Sequence, residues 1–309
     1  MKTASPQKGT SIAGSIEPPT AKHRDIVWEI KAKIKKQIRR FFAPIDIVFH
    51  RSHKLKQAEK EFPAVLSLNE TVDLLINGAS ISRFGDGEFN CLRWQHSKKK
   101  QSPEWILARR LEEVLAYCAT PHSPNYPNQL VIAIPPFNPV HNNPPNAYGW
   151  LGSWEYYWTK RWRFLRGKLM NRTFGNSFIS RDAAFYEVSV EKFRSVWSDR
   201  DVVFVVPKNG RFFDEPRLFD NMRSVEYLFV EPTYAYRHYD TTLQRALTFD
   251  KSKLFIICAG FMATVLAFDL YHHGYQALDM GHLPNCYRQY LKEAPSPESL
   301  AKVDVRKQG

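Results

Sequence analysis

The chain is poor in the features that mark a secreted, disulfide-stapled or membrane-spanning protein. Its four cysteines, Cys91, Cys118, Cys258 and Cys286, are far apart and form no CxxC pair. That argues against a disulfide framework and against a zinc site, and predicts reduced thiols in a cytoplasmic protein. The first 20 residues are rich in Ser, Pro, Thr and Ala and lack the apolar stretch of a secretory signal. The longest apolar run, Leu254 to Phe268, is about 15 residues, short of the roughly 20 that cross a bilayer. No internal repeat is evident, which excludes a solenoid.

Negative charge is scarce only at the start. Residues 1–60 hold 14 Lys/Arg against 5 Asp/Glu, a net of +9 out of the total of +13. The remaining residues are nearly balanced, which argues against a nucleic-acid groove running over the fold. Within that basic stretch, residues 1–22 carry Pro6, Gly9, Gly14, Pro18 and Pro19 among small polar residues, too little apolar surface to offset the entropy of ordering, and read as a tail. Residues 23–62 read as an amphipathic helix and linker. Ile26, Val27, Ile30, Ile34, Ile38 and Phe41 form one stripe, Lys31, Lys35, Lys36, Arg39 and Arg40 lie elsewhere around the helix, and Pro44 stops it. Such a helix suits an anionic membrane surface contacted through residues 23–42, or docking of the same stripe onto the protein or a partner.

The body, residues 63–295, alternates helix and strand signals, and residues 296–309 read as a C-terminal tail. Ser67-Leu68-Asn69-Glu70 is a capping box opening a helix that Gly78 closes. A strand is expected at Ser80 to Phe84, a helix after Ser102-Pro103-Glu104, and a strand at Gln129 to Ile134. Pro135 to Pro145 holds five prolines and reads as a lid or acceptor loop before an aromatic helix from Trp150 to Met170. Further strands are expected at Thr173 to Ser180, Asp201 to Val206, Ser224 to Val230 and Lys253 to Cys258, with helices over Glu187 to Trp197 and Ala235 to Thr248. The unbroken apolar runs at 202–206 and 254–257 suit parallel strands buried on both faces. The pattern predicts an α/β, doubly wound, mainly parallel sheet.

Chemistry concentrates at Arg83-Phe84-Gly85-Asp86-Gly87-Glu88. Two carboxylates two residues apart in an extended turn would point the same way and can converge on a hard cation, while Gly85 and Gly87 let a ligand approach the backbone. Arg83 presents a bidentate fork to a phosphate oxygen. An ordinary glycine-rich turn with solvated acids accounts for the same residues. Near the other end, Gly260 to Thr264 joins a strand to a helix whose first-turn amides would face a diphosphate, or whose glycine serves close packing. Asp279-Met280-Gly281-His282 ends a short strand, and His282 is a candidate metal ligand, phosphate partner or base. The aromatic segment from Trp150 to Phe164 suits a sugar platform, although packing against the core is the commoner use of such a helix.

Ser82 to Glu88, Phe178-Ile179-Ser180-Arg181, Ala263 to Leu270 and Gly274 to His282 together resemble the GT-D fold glycosyltransferase family over roughly residues 65 to 291. The resemblance implies a Rossmann-like enzyme that moves a sugar from a nucleotide-sugar donor, a UDP-sugar, to a glycan or lipid-linked glycan acceptor with Mn²⁺ or Mg²⁺. It implies that Asp86, Glu88 and His282 lie at the metal, that Arg83, Gly85, Gly87, Arg181, Gly260 and Thr264 bind the donor and its phosphates, and that Asp279 or His282 serves as base if the reaction inverts. The chain departs from the family pattern at Phe261-Met262, at Pro207-Lys208-Asn209-Gly210, at Tyr234 and at Pro284 and Cys286. A silent nucleotide- or glycan-binding module and a metal-dependent phosphohydrolase are the competing readings.

Overall fold

Local chemistry sets the first elements. In this computed structural model residues 53–93, 103–117, 129–137 and 153–304 are described, all within the second of two units, Ser52–Gly309. The helix expected at residues 25–42, Cys118 and most of the proline-rich loop lie outside them.

Helix α1 (His53–Glu61) leads to a two-residue strand β1 (Ala64–Val65). Helix α2 (Leu68–Ile76) opens on the expected capping box, with Ser67 and Glu70 capping each other's backbone. Strand β2 (Ser80–Arg83) follows, then α3 (Asp86–Cys91), α4 (Pro103–Ala116), β3 (Leu130–Ile134), α5 (Ser153–Leu169) and β4 (Thr173–Asn176). The strand expected to run to Ser180 stops at Asn176, because the Asn176 side chain accepts from Phe178 N and starts a 3₁₀ turn, Ser177–Ser180. The helix expected over 187–197 is two short ones, α6 (Asp182–Glu187) and α7 (Val190–Arg194), separated by the Ser189 N-cap. Then come β5 (Asp201–Pro207), β6 (Asn209–Gly210), α8 (Pro216–Phe219), β7 (Ser224–Val230), a 3₁₀ turn Ala235–His238, α9 (Tyr239–Ala246), β8 (Leu254–Ile257), α10 (Phe261–His272), β9 (Gln276–Asp279), α11 (Leu283–Tyr290), a 3₁₀ turn Pro297–Ser299 and β10 (Val303–Asp304).

Eight strands form one sheet in the order β1-β4-β3-β2-β9-β8-β5-β7, every pairing parallel, as expected of the α/β class. Strands β3 and β8 are buried at every residue and β5 at all but its ends, so both faces of the sheet are covered. The chain runs outward from β2 through β3 to β4, and later returns from β8 through β9 to lie against β2. The C-terminal edge of β2 and β9 is therefore the reversal point at which α/β sheets place ligands.

Two expectations about the periphery are decided by the fold. On the aromatic helix α5 the rings of Trp154, Tyr157, Trp158 and Trp162 are buried. Trp158 is fully buried with its indole N–H on Pro136 O at 3.3 Å, and Trp162 donates to Glu61 at 2.9 Å, so packing is the reading that holds for these rings. Residues beyond 295 do not all trail away either: β10 pairs antiparallel with β6, Val303 opposite Gly210.

Candidate functional site

Strand β2 ends at Arg83, and the chain turns at once into α3. The glycine-rich stretch expected as an extended turn is thus the start of a helix, with Gly85 as N-cap, Asp86 first and Glu88 third. Helical geometry separates residues two apart by about 200°, so the two side chains leave the backbone in different directions rather than side by side as in a strand. The Glu88 carboxylate turns back and accepts from Gly85 N at 2.7 Å. Burial pushes it up to about 7, with the neighbouring Asp279 carboxylate adding to the rise. Asp86 stays exposed.

Arg83 points inward. It donates to Asp279 O, to Ser177 O at 3.2 Å, to Ser180 Oγ and to Asp279 Oδ1 at 2.9 Å. Asp279, 3 % exposed, also accepts from Arg83 N at 3.3 Å and from Thr264 Oγ1 at 3.2 Å. Thr264 is fully buried, and its carbonyl accepts from Ser82 Oγ at 2.8 Å. These side chains knit β2, β9, α10 and the Ser177–Ser180 turn into one buried polar lock. Gly281, at φ 49°, belongs to it: a Cβ there would stand 2.3 Å from Arg83 Nη2. Arg83 and Thr264, expected on the donor, and Asp279, a candidate base, are therefore engaged with one another.

The open part of the site lies beside this lock. A cavity of about 460 Å³ is lined by residues at and beyond the ends of β5, β7, β8 and β9, among them Pro207, Arg211, Tyr234, Arg237, Gly260, Phe261, Gly281 and His282, and by Lys302. Gly260 is the N-cap of α10 at φ 59° and ψ −145°, a conformation open to glycine. An added Cβ would meet nothing within 4 Å, so ligand atoms can approach this backbone. His282 is pushed down to about 4, first by burial and then by Arg181, Arg83 and Arg211; its imidazole is neutral at physiological pH. Arg211, Arg237 and Lys302 line the cavity against one acid, Glu231, so with His282 neutral the wall carries an excess of positive charge, while Arg83 is neutralised by Asp279. Arg211 carries a buried Nε with no hydrogen-bond partner among the described residues.

Among the described residues no three His, Cys, Asp or Glu side chains form a group able to hold a metal ion. Asp86, Glu88 and His282 are therefore not assembled into a closed metal site. What remains is exposed Asp86 beside half-buried Glu88, an oxygen donor set of the kind a hard divalent cation shares with substrate phosphates.

Arg211, Arg237 and Lys302 were not singled out from the sequence. A basic residue just past the end of a buried strand is a usable signal for Arg211. Nothing local marks Lys302, which reaches the cavity because β10 folds back on β6.

The sequence model of the glycosyltransferase GT-D fold family matches residues 81–307. A probable glycosyl transferase, Gly, of Streptococcus gordonii is 26 % identical over 246 residues, covering 76 % of this chain and 34 % of that protein. The glycosyltransferase GlyD of Streptococcus pneumoniae is 25 % identical over 231 residues, covering 72 % and 27 %. The chain thus spans about a third of the length of these relatives. A solved structure described as a highly conserved domain of unknown function 1792 with a distinct glycosyltransferase fold superposes with TM-score 0.63 at 24 % identity, covering 79 % of this chain and 86 % of that one. A Streptococcus sanguinis glycosyltransferase of the same domain type gives TM-score 0.59 at 23 % identity, covering 75 % and 86 %. Among the described residues no helix is long and apolar enough to cross a membrane.

Proposed function

We propose, since this chain belongs to the glycosyltransferase GT-D fold family, that it transfers a sugar from a nucleotide-sugar donor, a UDP-sugar, to a glycan or lipid-linked glycan acceptor. The observation that carries this reading is the electropositive cavity at the sheet reversal, with bare α10 amides at Gly260 beside Arg211, His282 and Lys302. Glycosyl transfer builds negative charge on the departing nucleoside diphosphate, and fixed positive groups aimed at that charge favour the transition state.

Arg181 and Arg211 would neutralise the diphosphate, and the α10 N-terminus would receive a phosphate oxygen. His282, held neutral, would donate or accept one hydrogen bond there without adding charge. Asp86, with Glu88 behind it, would hold Mn²⁺ or Mg²⁺ jointly with the donor phosphates, and the ion would supply further charge neutralisation to the leaving group. The buried lock of Arg83, Asp279 and Thr264 would keep β2, β9 and α10 in register behind these groups. The basic helix expected at residues 23–42 would bring the enzyme to an anionic membrane carrying a lipid-linked acceptor; salt-sensitive sedimentation with anionic liposomes, lost on deleting residues 1–60, checks that part.

The decisive assay incubates the full chain with several nucleotide sugars and Mn²⁺ and measures released nucleoside diphosphate. Asp86→Asn and Glu88→Gln are each expected to abolish release with the fold intact. Unchanged turnover in either variant would remove the motif from the mechanism. Binding without cleavage would favour a silent module, and liberated inorganic phosphate a phosphohydrolase.

A further inference from the structure

Few large apolar side chains on the described surface are exposed, and two of them, Tyr234 at 69 % and Phe261 at 42 %, line the same cavity. They reach it from different elements. Tyr234 follows β7, and Phe261 is the first residue of α10 after β8.

Neither ring is a loose surface residue. Tyr234 is held at φ 52° and ψ 32°, a left-handed backbone that a bulky side chain rarely adopts. Its carbonyl accepts from Arg237 N at 2.9 Å, and the Arg237 guanidinium lies 4.5 Å from the ring centroid. The 3₁₀ turn that follows is anchored from behind, since Tyr236 packs on Tyr239 at 5.0 Å between ring centroids and the Tyr239 hydroxyl donates to Asp269 of α10. Phe261 lies against the backbone of Gly87, where an added Cβ would come within 2.4 Å of Phe261 Cε1. The fold thus keeps two aromatic rings open to solvent in fixed positions, one of them backed by a cation. The exposed faces of these rings, unlike the faces that pack, gain little for stability. Flat π-surfaces of this kind are what stacked bases use.

We infer that Tyr234, backed by Arg237, and Phe261 form a nucleobase subsite, which seats the base of a nucleoside diphosphate while the phosphates lie toward Gly260, Arg211 and His282. This rests on the donor-site reading above and adds to it the residues that recognise the nucleoside. The cavity offers two kinds of partner, the Tyr234 and Phe261 rings for a base, and the Gly260 backbone with Arg211, His282 and Lys302 for phosphates. A ligand with only the phosphate half should therefore ignore Tyr234.

Isothermal titration of the full chain in Mn²⁺ with UDP, GDP, ADP and TDP, and with inorganic pyrophosphate, tests this. At least one nucleoside diphosphate should bind more tightly than pyrophosphate. Tyr234→Asn, which keeps a residue suited to positive φ and removes the ring, should weaken that nucleotide by about tenfold, the order expected from one lost base–aromatic stack. Pyrophosphate affinity should not change, and Tyr234→Phe should bind like the unaltered chain. Equal weakening of both ligands, or of neither, overturns the subsite. Pyrophosphate binding as tight as the best nucleotide overturns it too while leaving the phosphate site standing. Failure of the unaltered chain to bind any of the five ligands overturns the donor-site reading itself.

Discussion

The two halves of this site are built on opposite principles. The Arg83–Asp279–Thr264 lock buries charge and pairs it almost completely, so removing one member leaves a buried partner unsatisfied. The cavity wall formed by Arg211, Tyr234, Arg237 and Lys302 keeps its charges and rings exposed or half-exposed, where they stabilise the fold little and remain free for a ligand. Arg83 and Thr264, conspicuous in sequence as phosphate binders, sit in the first group, whereas Gly260 and His282 line the cavity together with Arg211, Arg237 and Lys302, which carry no recognisable signature. Chemistry-bearing side chains next to a ligand edge are therefore of two kinds, and only the partners in the fold separate them.

Four substitutions would break or sharpen that contrast. The largest effect is expected from Arg83→Ala, which strands the buried Asp279 carboxylate; chemical denaturation should show a loss of about 3–5 kcal/mol, whereas Tyr234→Asn should leave the midpoint almost unchanged. Gly281→Ala should follow at about 1–3 kcal/mol, because its φ of 49° and the approach of Arg83 Nη2 both oppose a Cβ. Equal stability of this variant would mean that the lock tolerates displacement.

The smallest effect concerns Asp182, beside Arg181 at the start of α6, whose carboxyl burial pushes up to about 6 from 3.8. A carboxyl raised in the folded state favours its protonated form, so the fold carries no penalty below about pH 4. The penalty grows between about pH 4 and 6 and is complete above that. Asp182→Asn should therefore raise the melting temperature at pH 7.5, by the equivalent of about 3 kcal/mol at most, and change it little at pH 4. A uniform shift at both pH values would mean that the effect is not titration.

Much of the fold was legible because it rests on local patterns. The unbroken apolar runs of β5 and β8 can be buried only from both sides, and Ser67 with Glu70 declares the start of α2 within four residues. Boundaries moved where a side chain competed with the regular element, as at Asn176 and Ser189. The Asp86–Glu88 geometry was misread because the spacing carries opposite meanings in a strand and in a helix, and the glycines on either side suit both. The Glu88 carboxylate capping Gly85 N decides for the helix.

From the sequence alone come the α/β class, the parallel sheet, the basic N-terminal stretch and the family, because hydrophobic period, charge position and motif order are properties of the chain read in one dimension. Which of the chemistry-bearing residues face a ligand is set in three dimensions. Arg83 and Asp279 are 196 positions apart, and only the pairing of β2 with β9 lets each neutralise the other and withdraws both from the surface. Lys302 likewise enters the cavity wall only because β10 finds β6. Long-range partnership decides which charges are satisfied within the fold, and so which remain for a substrate.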